Sequence, residues 1–488
     1  MDPGPAPTRR PMATAGILVG LFLSALDGTV VATALPRILD DLNGFRIYFL
    51  VTAVFMLCQT VSMPIWGRLS DLYGRARLHL LAVILLVAGS MLCGFSKSMG
   101  SLIAFRALQG LGAGGMMALS FTMIADLYER EERARVQGAI SSVWGVAALV
   151  GPLLGGWITN NTDWSWRGVF FLNLPVGFVS ALIVQASWRE RAGQARGKAD
   201  VPGAILLAAA SAALLGAFGV ASRGGWFSPV ALAGYAAALF FVTLLVVVER
   251  RTRDPFLAYD LYRNRLFATG AATGVCAMLC LFAAVIHVPL LVAGAMGKSI
   301  QTGGYMLTCM MLPWMVCSAL TRLLLKHFTY RRLCVAGMAF AAAAYVILSR
   351  LDGQSALAPV VGAMALLGTG LGLTIAPLLI AAQNAVPKER LGTATSLMQF
   401  TRSMGAAIGL AVIGTLFASA FGGVEPEGII KFRTKMDPEA LRPLVAPLVV
   451  GLQWVFKAAV AAAVLGVVLA LAIPTGKAHE LRASPEVS

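Results

Sequence analysis

The sequence predicts an all-α membrane protein, and three observations carry that prediction. Fourteen apolar stretches recur along the chain, most of them near the roughly 20 helical residues that cross a bilayer core. The composition is 58% hydrophobic and only 13% charged, with a mean hydropathy of +0.78; a soluble domain carries nearer a quarter charged residues. The basic residues crowd onto alternate connections between the apolar stretches, as the positive-inside rule requires.

The spans are expected at 12–34, 47–66, 78–96, 101–124, 135–158 and 168–188, then at 201–221 and 229–248. Six more are expected at 267–293, 302–325, 333–350, 357–384, 391–419 and 448–473. The first is too long for a cleavable signal and lacks a small-residue cleavage site before the second. With both termini on the same side, 24 of the 39 Lys and Arg residues fall on that side and 11 on the other. Both termini are therefore expected in the cytoplasm of a multi-pass protein of the cell inner (plasma) membrane. The net charge of +16 is read as orientation, not as a nucleic-acid footprint. The expected partners are lipid bilayer, protons and a small amphipathic substrate, around a monomer.

The 51 glycines suit close helix packing in lipid, where small residues let backbones approach. The seven cysteines lie in or beside spans without a CxxC or Cys/His cluster, so no metal site is expected. No nucleophile–base pair or phosphate loop points to an enzyme, and no catalytic residue or cofactor is expected.

Three regions are expected: a six-helix bundle at 1–188, two additional spans with basic linkers at 189–266, and a second six-helix bundle at 267–488 with an outer loop at 420–447. The bundles echo each other faintly. Gly67-Arg-Leu-Ser-Asp-Leu-Tyr-Gly-Arg-Ala-Arg77 lines up with Thr321-Arg-Leu-Leu-Leu-Lys-His-Phe-Thr-Tyr-Arg331, so that Arg68, Leu69 and Arg77 recur as Arg322, Leu323 and Arg331. Leu325 replaces the acid.

Four segments carry chemistry. In Leu26-Asp-Gly-Thr-Val-Val-Ala-Thr-Ala-Leu-Pro36, Asp27 sits well inside the membrane, where an ionised carboxylate is costly unless paired or hydrated. It is expected to face a water-filled cavity and to hold a proton or a cation, but not both together. In Arg106-Ala-Leu-Gln-Gly-Leu-Gly-Ala-Gly-Gly115, the guanidinium cannot lose its proton and needs Asp27, Gln109 or carbonyls as partners. The third segment runs from Gly67 to Arg77. Its glycines Gly67 and Gly74 allow a tight turn, and Asp71 can bond a helix N-terminus or Arg75 and Arg77; it reads as a conformational latch. The fourth is Gly151-Pro-Leu-Leu-Gly-Gly156, where Gly151, Pro152 and Gly155 would make a bend and a groove.

In this order the four segments resemble motifs of the major facilitator superfamily. The span 5 segment resembles its antiporter motif, and Leu26 to Pro36 resembles the span 1 signature of its drug:proton antiporters. Trp164-Ser-Trp-Arg-Gly-Val-Phe-Phe-Leu-Asn-Leu-Pro-Val-Gly177, together with fourteen spans, is similar to the QacA/EmrB-like branch. So is the run from Gln383-Asn-Ala-Val-Pro387 through Leu391-Gly-Thr-Ala-Thr395 to Phe400-Thr-Arg-Ser403. The resemblance implies the major facilitator fold, two six-helix bundles with two extra central transmembrane helices. It implies that Asp27 is a proton or cation site, that Arg106 couples protons, that Asp71 and Arg75 belong to a gate, and that Gly151 and Pro152 form the antiporter bend. Leu72 stands where the gate motif usually has a basic residue, and no mid-membrane acid appears in spans 9–14.

Other intramembrane groups complete the expected substrate cavity: Gln59, Gln109, His287, Met310, Trp314, Gln383, Asn384, Phe400 and Arg402. His287, two residues before Pro289, is either a packing residue at a kink or a proton carrier. Arg402 either binds an anionic headgroup or acid, or pairs with carbonyls. The methionines Met306, Met310, Met311 and Met315 either pack or line an adaptable apolar cavity. The expected function is proton-coupled antiport that exports amphipathic small molecules (multidrug efflux) by alternating access, driven by the proton gradient. The alternative is an exporter or flippase of a lipid, a siderophore or another anionic or zwitterionic metabolite.

Overall fold

The computed structural model describes residues 9–42, 49–190, 201–251, 260–298, 300–386, 390–419 and 438–475. The expected linker positions 191–200 and 252–259 and the outer-loop positions 420–437 lie outside them. Every one of the fourteen expected stretches is helical. The first bundle comprises α1 (Arg10–Leu42), α2 (Phe49–Tyr73), α3 (Arg75–Gly94), α4 (Met99–Leu127), α5 (Arg130–Asn161), α6 (Arg167–Phe171) and α7 (Asn173–Ser187). Next come α8 (Val201–Gly224), α9 (Pro229–Arg251) and α10 (Asp260–Arg263). The remainder is α11 (Arg265–Pro289), α12 (Ile300–His327), α13 (Tyr330–Leu348), α14 (Leu357–Asn384), α15 (Leu391–Ser419) and α16 (Pro438–Leu471).

Among the described residues, twelve helical stretches are long and apolar enough to cross a membrane. The expected spans without such a stretch correspond to α5 and α8; the described residues of α8 form an apolar run over Ile205–Leu214.

Local chemistry explains the breaks. Ser98 caps α4, its Oγ accepting from Ser101 N at 3.2 Å while Ser101 Oγ accepts from Ser98 N at 3.2 Å, a reciprocal cap that satisfies two otherwise orphaned donors. Pro289 ends α11 because its ring removes a donor from the ladder, and the chain continues as a π-helical turn over Leu290–Ala295. That turn is the kink expected beside His287. The turn expected across Gly67 to Arg77 is a single residue: Gly74, at φ +97°, separates α2 from α3, a conformation that a Cβ would strain. Gly67 lies inside α2 and makes no turn.

The chain divides into two compact units. One holds residues 1–212, 238–259 and 386–400, the other 213–237, 260–385 and 401–488. Inside the first, α2 and α3 pack on α4, while α1 packs on α4, α5 and α7. Inside the second, α12 and α13 pack on α14, and α11 packs on α14 and α16.

The internal packing therefore repeats, and glycines at a spacing of two set it. A Cβ on Gly110 would lie 2.5 Å from the Phe55 carbonyl oxygen, and one on Gly114 would lie 2.3 Å from that of Gln59. Between them, Gly112 faces α3, where a Cβ would meet Leu86 N at 2.3 Å. In the second unit Gly368 and Gly372 meet the Met310 and Trp314 carbonyls of α12 at 1.9 and 2.8 Å, and Gly370 meets Gly337 of α13 at 2.4 Å. Residues two apart on a helix point to nearly opposite sides. A Gly-x-Gly-x-Gly run thus admits one neighbour on each side.

Candidate functional site: a buried ion-pair network

Five helices of the first unit converge on Asp27. Gln109 follows Arg106 by three residues on α4, so both point the same way. The pair faces Asp27 of α1, Ser90 of α3 and Asn173, the first residue of α7. Arg106 Nη1 donates to Asp27 Oδ2 at 2.5 Å and to Gln109 Oε1 at 2.8 Å. Its Nε donates to the Val51 carbonyl at 3.2 Å, and its Cζ lies 3.8 Å from the centroid of the Phe55 ring, a cation–π contact. The other carboxylate oxygen, Asp27 Oδ1, accepts from Gln109 Nε2 at 2.7 Å and from Asn173 Nδ2 at 3.0 Å. Ser90 Oγ closes the network, accepting from Gln109 Nε2 at 3.1 Å and Asn173 Nδ2 at 2.7 Å and donating to the Phe170 carbonyl at 2.8 Å.

Asp27 is 2% exposed and Arg106 1%. The expectation of a water-filled cavity around Asp27 is therefore replaced by an enclosed site. Its charge is balanced by a guanidinium and two amides rather than by solvent. Buried charges are tolerated when paired and hydrogen-bonded, and this one is both. All three partner types expected for Arg106 are present: the acid, Gln109 and a carbonyl. Asn173 and Ser90 were not foreseen. Asn173 lies within the segment from Trp164 to Gly177 and precedes Leu174-Pro175, which was its available signal. A serine such as Ser90 gives none, because a hydroxyl in an apolar span can equally bond its own helix.

Among the described residues the second unit carries no such network at the equivalent place. By the packing repeat, Arg106 and Gln109 of α4 correspond to Met364 and Leu367 of α14, both buried in an apolar core with Tyr345 and Phe456.

A second polar cluster joins α2, α3, α4 and α15 inside the first unit. Arg75 Nη2 lies 2.6 Å from Asp71 Oδ1, and its Nε lies 2.9 Å from Asp126 Oδ2; its Nη1 donates to Ser70 Oγ. Asp71 Oδ2 accepts from the backbone N of Thr393 at 3.1 Å and from its hydroxyl at 2.8 Å. Thr393 is in the first turn of α15, where free amides and the helix dipole favour an anion. Asp71 thus uses both partners foreseen for it, Arg75 and a helix N-terminus, whereas Arg77 is exposed. Close approach needs two glycines: a Cβ on Gly67 would fall 2.0 Å from Ser396 Oγ, and one on Gly392 would fall 2.5 Å from Asp71 Oδ1.

The remaining expected residues are scattered. Gly151 and Gly155 are buried in α5, which runs as helix without a break, and the side chain of Pro152 lies outside the described ones. Gln59 is half-buried, with Nε2 3.4 Å from Ser24 Oγ. His287 is a packing residue here: its Nδ1 lies 3.0 Å from the Ala283 carbonyl, and its ring stands edge-on to Phe417 at 5.5 Å. Met306, Met310 and Trp314 belong to the apolar core of the second unit, with Met311 packed against it. Gln383 is buried, Asn384 Nδ2 donates to the Tyr330 hydroxyl at 3.0 Å, and Phe400 is half-buried. Arg402 is buried in α15.

A helical bundle of apolar, membrane-length helices with a paired acid and guanidinium inside its first half is an integral membrane architecture. Residues 17–410 match the Major Facilitator Superfamily, and the chain belongs to that family. It is 31% identical over 434 residues to the multidrug transporter protein MdtP of Bacillus subtilis, covering 89% of this chain and 80% of that one. It is 32% identical over 408 residues to multidrug resistance protein 3 of the same organism, covering 83% and 79%. It is 30% identical over 414 residues to the multidrug resistance protein Stp of Mycobacterium tuberculosis, covering 82% and 74%. The fold is shared with the human organic anion transporter MFSD10, at a TM-score of 0.64 and 16% identity, over 95% of this chain and 100% of that one.

Proposed function

We propose that this protein exports amphipathic small molecules in exchange for protons, by alternating access, from the plasma membrane. In this reading it works as a monomer of fourteen spans with both termini in the cytoplasm. The carrying observation is the enclosed Asp27–Arg106 pair. A proton arriving at Asp27 removes the negative charge and leaves Arg106 with Gln109, Val51 and Phe55 alone. Proton uptake and rearrangement of five converging helices are therefore the same event. Release of the proton restores the pair and draws the helices together.

The energetics fix what drives export. One charge crossing 100 mV is worth about 2.3 kcal/mol, and one pH unit about 1.36 kcal/mol. A monovalent cation exchanged for one proton cancels the voltage term, so only the pH gradient drives it. A neutral cargo exchanged for a proton uses both.

The test is proton release from purified protein on addition of amphipathic dyes and antibiotics, read with a pH indicator. Wild type should release protons in proportion to bound cargo, and Asp27→Asn should bind cargo without release. Full release by the variant would refute the role of Asp27.

A further inference from the structure

Arg402 is a buried guanidinium of the second unit. Its guanidinium lies eleven residues into α15, about 16 Å from that helix's first residue and so near the middle of a roughly 30 Å hydrocarbon core. Arg402 is 3% exposed, and its Nε and Nη1 have no hydrogen-bond partner among the described residues. This is unlike Arg106, whose charge has a carboxylate, an amide, a carbonyl and an aromatic face. From Arg265 to Ser419 the only acids in the sequence are Asp352 and Glu389. Asp352 is tied to Ser355 and Gln354 in the α13–α14 connection, and Glu389 precedes α15.

The position is nonetheless built. A Cβ on Gly274 of α11 would lie 2.5 Å from Arg402 Cδ and 2.8 Å from Cγ, so the arginine stem occupies a notch that only glycine leaves. One and two turns further along α15, Gly405 and Gly409 hold the same two helices together against Val275 and Leu279. A stem held in place with unpartnered donors at Nε and Nη1 leaves a charged hydrogen-bonding group open to an oxyanion. Intramembrane charges of this kind usually mark the path of a ligand.

We infer that Arg402 is the binding site for an anionic group, a carboxylate, sulfonate or phosphate, carried by the transported molecule or by a bilayer lipid. The inference rests on the transporter reading above and narrows its cargo to amphipaths that carry such a group. It does not depend on Asp27, which handles the proton.

The experiment uses the full chain in phosphatidylcholine nanodiscs without a gradient. It measures equilibrium binding of two matched probes, naphthalene-2-carboxylate and 2-naphthylmethylammonium. Wild type should bind the carboxylate, and Arg402→Gln should bind it at least tenfold more weakly with the ammonium unchanged. Arg402→Lys should recover part of the loss, since it restores charge without the guanidinium. Gly274→Ala, which keeps the guanidinium but displaces its stem, should weaken the carboxylate several-fold. It carries the test should Arg402→Gln fail to fold.

Repeating the titrations with phosphatidylglycerol in the nanodiscs separates the two sources. If a headgroup is the occupant, the carboxylate competes with it, and phosphatidylglycerol stays with purified wild type but not with the variant. If a soluble cargo is the occupant, the lipid has no effect. Carboxylate affinity that is the same in wild type, Arg402→Gln and Gly274→Ala, with no Arg402-dependent lipid retention, would overturn the inference. That result would leave Asp27-dependent proton release untouched. Conversely, Asp27→Asn that keeps the carboxylate affinity but releases protons normally would sink the proton role alone.

Discussion

Arg106 Nη1 lies 2.5 Å from Asp27 Oδ2, with 1% of each side chain exposed, so each charge relies on the other. Removing one partner of a buried pair costs roughly 3–5 kcal/mol, whereas replacing both is often near neutral. Asp27→Asn should therefore lower the thermal unfolding midpoint as well as abolish coupling. Asp27→Asn combined with Arg106→Gln should recover most of the stability and none of the coupling. Unfolding in detergent, paired with the proton-release assay, separates the two effects. A single variant as stable as wild type would mean that Arg106 does not need the carboxylate.

The clamp on α15 makes a different prediction. In Gly67→Ala the new methyl would sit on Ser396 Oγ and 2.8 Å from the Gly392 carbonyl oxygen. Overpacking of this kind costs about 1–3 kcal/mol. Adding Ser396→Gly should restore part of it, since the serine contact disappears while the carbonyl contact remains. Full recovery or none, read from unfolding midpoints of the two proteins, would place the strain elsewhere.

The ion pair was legible because a lone acid and a lone arginine in apolar spans each demand a counter-charge, and the chain offers few. Likewise the fourteen helical stretches follow from hydropathy alone. The polar cluster around Asp71 was half legible. Asp71 and Arg75 stand four residues apart, but Thr393 is 322 residues away from Asp71, and nothing local in the sequence links them. The role of Gly67 was misread for a related reason. A glycine that makes room for a neighbouring helix looks, in one dimension, like a glycine that turns the chain. The glycines of the Gly110 run were legible as a close helix approach, but its counterpart at Gly368 lies far from the loop echo at Gly67 and Thr321, so the packing repeat has no signal there.

That repeat can be tested inside one helix. Gly368→Ala would put a methyl 1.9 Å from the Met310 carbonyl oxygen, which cannot move without α12, whereas Gly362 of the same helix has open space around it. Gly362→Ala should be neutral or stabilising by up to about 1 kcal/mol, as expected for glycine replaced in a helix. Gly368→Ala should be destabilising by several times that. Equal midpoints for the two variants would argue against close contact of α12 and α14.

His287 bears on whether the second unit takes part in proton movement. Its Nδ1 is 3.0 Å from the Ala283 carbonyl one turn back, and its ring packs on Phe417; together these contacts wedge the imidazole beside the π-helical turn. Asparagine can place its amide nitrogen where Nδ1 sits, keeping the bond to Ala283 while removing the titratable ring. His287→Asn should thus release the same number of protons per bound dye as wild type, with the same pH midpoint, at some cost in stability from the lost ring contact. A shifted midpoint or a halved proton count would bring His287 into the coupling path and end the assignment of proton handling to the first unit alone.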